Sequence, residues 1–379
     1  MAEAAVGRVP TEPQVMKLPA LVFSPVLAFA LAAAAYDSPP PQRLDPARIA
    51  AVEPKIADNT FKDITSLLVV QDGRTVYEHY FNGNAADTLN DIRSASKSVT
   101  ALLMGAAIDR GLVKGVDAKV YDFFPEHHEA DVRKRAITVE DLMTMSSIWE
   151  CDDENQFSTG NEERMYVSER WLTFALSLPV KGFAPWMKKP AESPYGRAFS
   201  YCTAGAFTAG AVIERAAHKP LSAFAAEVLE KPLGISHVQW NVSAEGIGMG
   251  GGGTRYSARD LAKLGQLALD DGRWQGRQVI PAAFIHSMLT PHAQAREDAE
   301  YGYFWWRFHF KVAGHEFVTW AMGGNGGNYV FVVPELHLVT VLTSHSYNKS
   351  YAHPQSQKIF TDYVLSATAA ASPAAASSH

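Results

Sequence analysis

The chain has 379 residues, 47% hydrophobic and 20% charged, which supplies a large core, excludes general disorder and suits two domains or one large domain with an insertion. Its 34 basic and 40 acidic residues give a formal net charge of -6, and no run of cations could track a phosphate backbone, so nucleic acid is disfavoured as a partner. Two cysteines, Cys151 and Cys202, exclude a disulfide-rich scaffold, a four-cysteine zinc site and an iron-sulfur cluster built from this chain, and leave open one bridge or two thiols.

The apolar run from Leu18 to Ala35 follows Met16 and Lys17 and precedes the polar, proline-rich YDSPPP. That is the order of a signal peptide, and small residues at Ala33 and Ala35 suit cleavage before Tyr36. The alternative is an uncleaved membrane anchor, against which Pro19 and Pro25 count as poor residues for a spanning helix. Met16 is the more natural start, because Glu3 and Glu12 spoil a basic leader before it. A periplasmic or secreted protein is expected, with no stable membrane anchor after cleavage.

Downstream, Asp45 to Asn59 has helical spacing, with Asp45 as cap and Pro46 just inside the start. SLLVVQDGRTVYEHYF reads as a hairpin turning at Asp72-Gly73, and the pattern switches to helix from Ser94 to about Leu112. Helical patches and loops fill the middle, with capping boxes at Thr138/Asp141 and Ser257/Asp260. β signals return between Gly276 and Ile280 and again from Tyr303 to Ser344, with Pro334-Glu335 marking a bend. A closing helix is predicted from Gln355 to Leu365. The fold class expected is α+β, an antiparallel sheet built from both chain ends with a mostly helical insertion. The expected division is a leader over 1–35, a sheet domain of 36–93 plus 263–368, a helical domain of 94–262, and a disordered tail over 369–379.

Several signatures are missing. The sequence has no G-x-S-x-G elbow, no phosphate loop and no H-E-x-x-H. Gly246, Gly248 and Gly251 match G-x-G-x-x-G, but without a βαβ unit they read as a loop entering the Ser257 helix. The histidines lack metal-ligand spacing, so neither metal nor cofactor is expected. What remains is S-x-x-K, Ser94-Ala95-Ser96-Lys97, at the start of a helix. Residues three apart share a helix face, so the lysine amine can reach the serine hydroxyl, and the helix dipole favours negative charge developing on that oxygen. A lysine and a serine so placed make a nucleophile without histidine. On its own the pattern equally describes an ordinary N-cap, and Ser346-Tyr347-Asn348-Lys349 matches it by chance.

Order and context decide between these readings. The stretch around Ser94, then FSYCTAGAFTAG around Tyr201, then GGGGTRYSARDLAKLG and AMGGNGGNYVFVVPE, resemble in sequence order the motif regions of the serine β-lactamase and penicillin-binding protein superfamily, from about Ser66 to Val364. The likeness is to the class C β-lactamase-like hydrolases and, within them, the esterase or nylon-oligomer-hydrolase branch. It implies a β-lactamase/DD-peptidase-like fold in which Ser94 is acylated, Lys97 is its general base and Tyr201 completes the proton relay. It also implies that Gly324-Asn325-Gly326 form the third motif, that the backbone N–H groups of Ser94 and Gly327 form the oxyanion hole, and that Thr203 stands where the second motif has Asn or Ser.

Two departures steer the functional expectation. No lysine occupies the third motif, and Thr203 offers only a hydroxyl, so the resemblance points to a serine hydrolase acting on small-molecule carboxylic esters rather than on β-lactams. Amide hydrolysis, and a non-catalytic member binding cell-wall fragments, remain the alternatives. His353, Arg307 and Lys349 are the cations near the third motif that could replace its lysine. Trp149, Tyr166 and Trp186 could wall an acyl or alcohol pocket, or be core aromatics. A Cys151–Cys202 bridge would tie the WECDDEN loop to Tyr201.

Overall fold

Leu67 and Val69 point to one side of the strand Ile64–Gln71 (β1), and Leu68 and Val70 to the other, and all four are buried. A strand apolar on both faces must be covered on both. It turns through Asp72 and Gly73, at φ 51° and 70°, into Arg74–Tyr80 (β2), the hairpin that the Asp-Gly pair predicts. Six further strands come from the other end of the chain: Ala293–Arg296 (β3), Ala299–Tyr301 (β4), Trp306–Val312 (β5), His315–Gly324 (β6), Asn328–Val333 (β7) and Leu338–Ser344 (β8). They form one sheet in the order β2-β1-β8-β7-β6-β5-β4-β3, antiparallel at each pairing. Leu67 and Tyr329 both stand opposite Leu342, so β8 stitches the two chain ends together.

The computed structural model describes residues 44–182, 186 and 198–368; the expected leader (1–35) and tail (369–379) lie outside them. One face of the sheet is covered by Ile49, Val52 and Ile56 from the N-terminal helices and by Phe360 and Val364 near the C-terminus. On the other face lie the helix Ala258–Leu269, capped by Ser257, and the helical region. Within that region Ser96–Asp109 (α1) is buried continuously from Ser96 to Ala107, including the polar Ser96, Lys97, Ser98 and Thr100. It packs against Thr203–Ala217 and against β6. The architecture is α+β, with helices flanking an antiparallel sheet.

Three expectations change. The helix over Asp45 to Asn59 is two short helices, Pro46–Ala50 and Glu53–Ala57. Pro54 falls in the first turn of the second, where its missing N–H leaves no hydrogen bond unmade; within one continuous helix it would break the ladder. The β3–β4 hairpin was not expected, because AQAREDAEY is charged and lacks a β-branched pattern. The boundary between 262 and 263 falls inside Ala258–Leu269, whose buried Leu261, Leu264 and Leu267 seat it as one piece on the sheet.

Strand β6 ends against the turn that begins α1. A Cβ on Gly324 would stand 2.0 Å from the Ile92 carbonyl oxygen and 3.0 Å from the Ala95 nitrogen. Only a residue without a side chain lets strand and turn meet there. Gly324→Ala should therefore lower stability by about 1–3 kcal/mol, read by equilibrium urea denaturation; a variant as stable as the wild type would contradict this close approach.

Candidate active site

Ser94 lies in a single 3-10 turn, Arg93–Ala95, from which α1 continues at Ser96. The residue before it, Arg93, has φ 50°, a conformation that costs a non-glycine residue energy and collects at functional sites. One turn on, Lys97 is 1% exposed. Its Nζ donates to Ser94 Oγ at 2.9 Å and to the Gly251 carbonyl at 2.6 Å, and lies 4.9 Å from the centre of the Tyr201 ring. The spacing of three residues thus delivers the contact that a helix face allows.

Tyr201 is held by the residues around it rather than by a regular element. Its ring stacks on Trp306 of β5 at 5.8 Å, and its carbonyl accepts the Asp153 N–H at 2.9 Å. Cys151 and Cys202 are joined in a disulfide across 51 residues, and Ser200 Oγ donates to the Cys151 carbonyl at 2.7 Å. Asp153, which sequence reasoning missed, anchors the arrangement. Its two oxygens accept the backbone N–H of Thr203 at 2.6 Å and of Glu162 at 2.9 Å, at the starts of Thr203–Ala217 (numbered here α4) and Glu162–Tyr166 (α2), with Trp171–Leu176 as α3 between them. The signal that could have found it is the acidic doublet beside a cysteine that pairs next to Tyr201.

Of the glycine-rich stretch expected to hold the third motif, the part nearest Ser94 is the end of β6. Gly323, Gly324 and Asn325 line the cleft with Ser94. Gly326 and Gly327, with φ 88° and 79°, form the hairpin turn between β6 and β7; a Cβ on Gly327 would strike the Ala352 carbonyl and Ser356. Gly327 therefore packs against the C-terminal helix Ala352–Ile359 and is not among the residues lining the cleft. The Asn325 side chain donates to Asn348 Oδ1 at 2.5 Å and accepts the Asn348 N–H at 2.8 Å, which pins the residue beside Ser94.

Other expected positions separate. Thr203 is fully buried under Gly251, whose Cβ would meet its side chain at 2.9 Å. Trp149 is a core residue donating to the Tyr121 hydroxyl at 3.2 Å, Trp186 is exposed, and Tyr166 lines a cavity beside Ser94. Ser346 Oγ donates to the Lys62 carbonyl at 3.1 Å and to Asp63 Oδ2 at 3.2 Å. Arg307 is paired with Glu300. His353 reaches the cleft and bonds the Tyr329 hydroxyl at 2.8 Å, but burial, and then Arg296, pushes its pKa down from 6.5, which disfavours a cation there. The cleft's arginine is Arg296, on the unexpected hairpin, 4.8 Å over the Trp306 ring and 3.5 Å from Asp298.

Two cavities flank Ser94. One of about 700 Å³ contains Tyr201, Trp306, Tyr329 and Arg296 with the carboxylates of Asp153, Glu154, Glu162 and Asp298. The second, of about 380 Å³, contains Tyr166, Trp171, Met249 and the glycines 251–253. Ser94, Glu162 and Asn325 border both. Among the described residues, no group of three His, Cys, Asp or Glu side chains is arranged to hold a metal ion.

The Beta-lactamase family model matches residues 61–359. A 6-aminohexanoate-dimer hydrolase of Paenarthrobacter ureafaciens is 24% identical over 229 residues, 59% of this chain and 57% of that protein, so the chain spans little more than half the length of that curated relative. Among solved structures, EstCE1, described as a hydrolase with promiscuous acyltransferase activity, aligns with a TM-score of 0.66 at 16% identity over 84% of this chain and 97% of its own. A penicillin-binding protein homologue from Caulobacter crescentus aligns with a TM-score of 0.63 at 17% identity, over 86% and 99% respectively. At these identities the likeness is one of fold.

Burial pushes the Asp153 carboxyl up to about 6 from an ordinary 3.8, against the pull of Lys97 and with Glu162 adding to the rise. The folded protein thus holds this proton more tightly than the unfolded chain does. The stabilisation is full below about pH 4 and is lost as pH rises through about 6, a difference of about 3 kcal/mol. Urea denaturation from pH 4 to 7 should show wild-type stability falling relative to Asp153→Asn across that window; parallel curves would contradict the assignment.

Proposed function

Since the chain belongs to the Beta-lactamase family, a family of hydrolases, we propose that it cleaves carboxylic esters through an acyl-enzyme on Ser94. The observation that carries this reading is the 2.9 Å contact of a buried Lys97 amine with Ser94 Oγ, beneath the Tyr201 ring. Lys97 Nζ takes the hydroxyl proton as Ser94 Oγ attacks the carbonyl carbon. Tyr201 passes a proton to the departing alkoxide, and water then releases the acid by the reverse path. The developing oxyanion is met by the backbone N–H groups of Ser94 and Asn325, which takes the role expected of Gly327.

Charge in the cleft favours a substrate without a carboxylate. Asp153, Glu154, Glu162 and Asp298 outnumber Arg296 there, and no cation stands on β6 beside Ser94. Amide hydrolysis is the second reading, favoured by the relative named as a 6-aminohexanoate-dimer hydrolase. A purely binding role is disfavoured because binding alone needs neither a lysine base nor a tyrosine relay.

An activated short-chain ester should be hydrolysed at least about a hundredfold faster than a chromogenic cephalosporin, since an unpaired buried charge costs several kcal/mol. Ser94→Ala should abolish turnover and fluorophosphonate labelling. Inactivation by Ser346→Ala instead would identify the wrong nucleophile, and efficient cephalosporin turnover would sink the ester reading and direct attention to Arg296. The Cys151–Cys202 disulfide supports an oxidising compartment. Export with cleavage before Tyr36 is the matching proposal, and peptide mapping of native material that recovers an intact Leu18 to Ala35 segment would defeat it.

A further inference from the structure

Four consecutive glycines, Gly250 to Gly253, run past the nucleophile, and three of them are required by their surroundings. A Cβ on Gly250 would meet the Gly210 Cα at 3.0 Å; on Gly251, the Thr203 side chain at 2.9 Å; on Gly253, at φ 74°, the Asn241 side chain at 2.4 Å. Gly252 differs. Its ordinary φ and nearest neighbours at 3.7 Å, the Arg93 carbon and oxygen, and 3.9 Å, Met249 Cε, would accept a side chain without strain. The residue borders the smaller cavity, in which Tyr166, Trp171 and Met249 form an apolar wall and Arg93, Glu163 and Asn241 belong to the polar remainder. The absent side chain leaves open a space that the protein's own packing does not use.

Resting on the hydrolase reading above, we propose that this smaller cavity is the acyl subsite and that Gly252 sets the length of linear acyl group it admits. Direction follows from the relay. Tyr201 lines the larger cavity and is not among the residues bordering the smaller one, and the departing oxygen must lie within reach of the Tyr201 hydroxyl. The alcohol portion therefore leaves through the larger cavity, and the acyl chain, on the far side of the same carbonyl carbon, extends between Trp171 and Met249 past Gly252. A side chain there occupies volume that the acyl chain needs, and each methylene excluded from contact with the apolar wall of Tyr166, Trp171 and Met249 changes specificity about tenfold or more.

The experiment compares kcat/KM for p-nitrophenyl acetate and p-nitrophenyl hexanoate in wild type, Gly252→Ala and Gly252→Leu, with thermal unfolding to establish that each variant is folded. The hexanoate-to-acetate ratio should fall about tenfold or more in Gly252→Leu, carried mainly by KM, with Gly252→Ala between. Hexyl acetate against ethyl acetate should show no matching change. An unchanged hexanoate-to-acetate ratio overturns the proposal, and so does a response to alcohol length instead of acyl length. If wild type cleaves no ester, the ester reading is what fails, and calorimetric titration of Ser94→Ala with hexanamide, with and without Gly252→Leu, then tests the cavity alone. Binding that weakens about tenfold in Gly252→Leu supports a chain-length subsite, and equal binding overturns it.

Discussion

A lysine amine buried to 1% exposure must find its acceptors inside the protein, because an unpaired polar group there is costly. Lys97 meets that demand with Ser94 Oγ, the Gly251 carbonyl and the face of the Tyr201 ring. Each partner comes from a different part of the chain: the turn before α1, the glycine run and the segment entering α4. Satisfying one buried amine therefore fixes the relative positions of these three pieces. The glycines follow from the same demand, since the Gly251 carbonyl reaches Lys97 only if its backbone lies against Thr203, where a Cβ would not fit.

The pieces are braced from behind by short-range covalent and polar contacts rather than by long elements. Between Met145 and α4 the described chain is largely loops and brief helices, yet Tyr201 is fixed by the Cys151–Cys202 disulfide, by the Asp153 N–H and by Trp306. Asp153 has the most demanding position in this brace. As a carboxylate it accepts two helix-start N–H groups and faces Lys97, interactions that favour charge; burial opposes them and prevails. Neutral pH thus keeps a charge that the fold tolerates at some cost in stability. Local destabilisation of this kind is common where a site needs a fixed field.

The cleft lies where the helical region meets the end of β6 and the β3–β4 hairpin. Two cavities meet at Ser94, one beside Tyr201 and the other beside Trp171. Cleft carboxylates and a neutral-leaning His353 make the larger cavity inhospitable to an anion.

What the sequence determined alone was local. The Asp72-Gly73 hairpin, the Ser94 to Lys97 spacing and the caps at Thr138 and Ser257 are set by residues within a few positions of one another, where backbone preference and helix periodicity suffice. The family resemblance added Tyr201, which no local pattern marks. Tertiary structure decided the rest. Whether Asn325 or Gly327 stands beside Ser94 depends on where the β6–β7 hairpin turns against the C-terminal helix, a long-range packing matter with several glycines as equal candidates in sequence. Arg296 enters the cleft on a charged edge hairpin that carries no β pattern. Thr203 disappears beneath Gly251 because two segments 48 residues apart pack without side-chain space. Such contacts join positions distant in sequence through sterics and burial, and no short window of the chain encodes them.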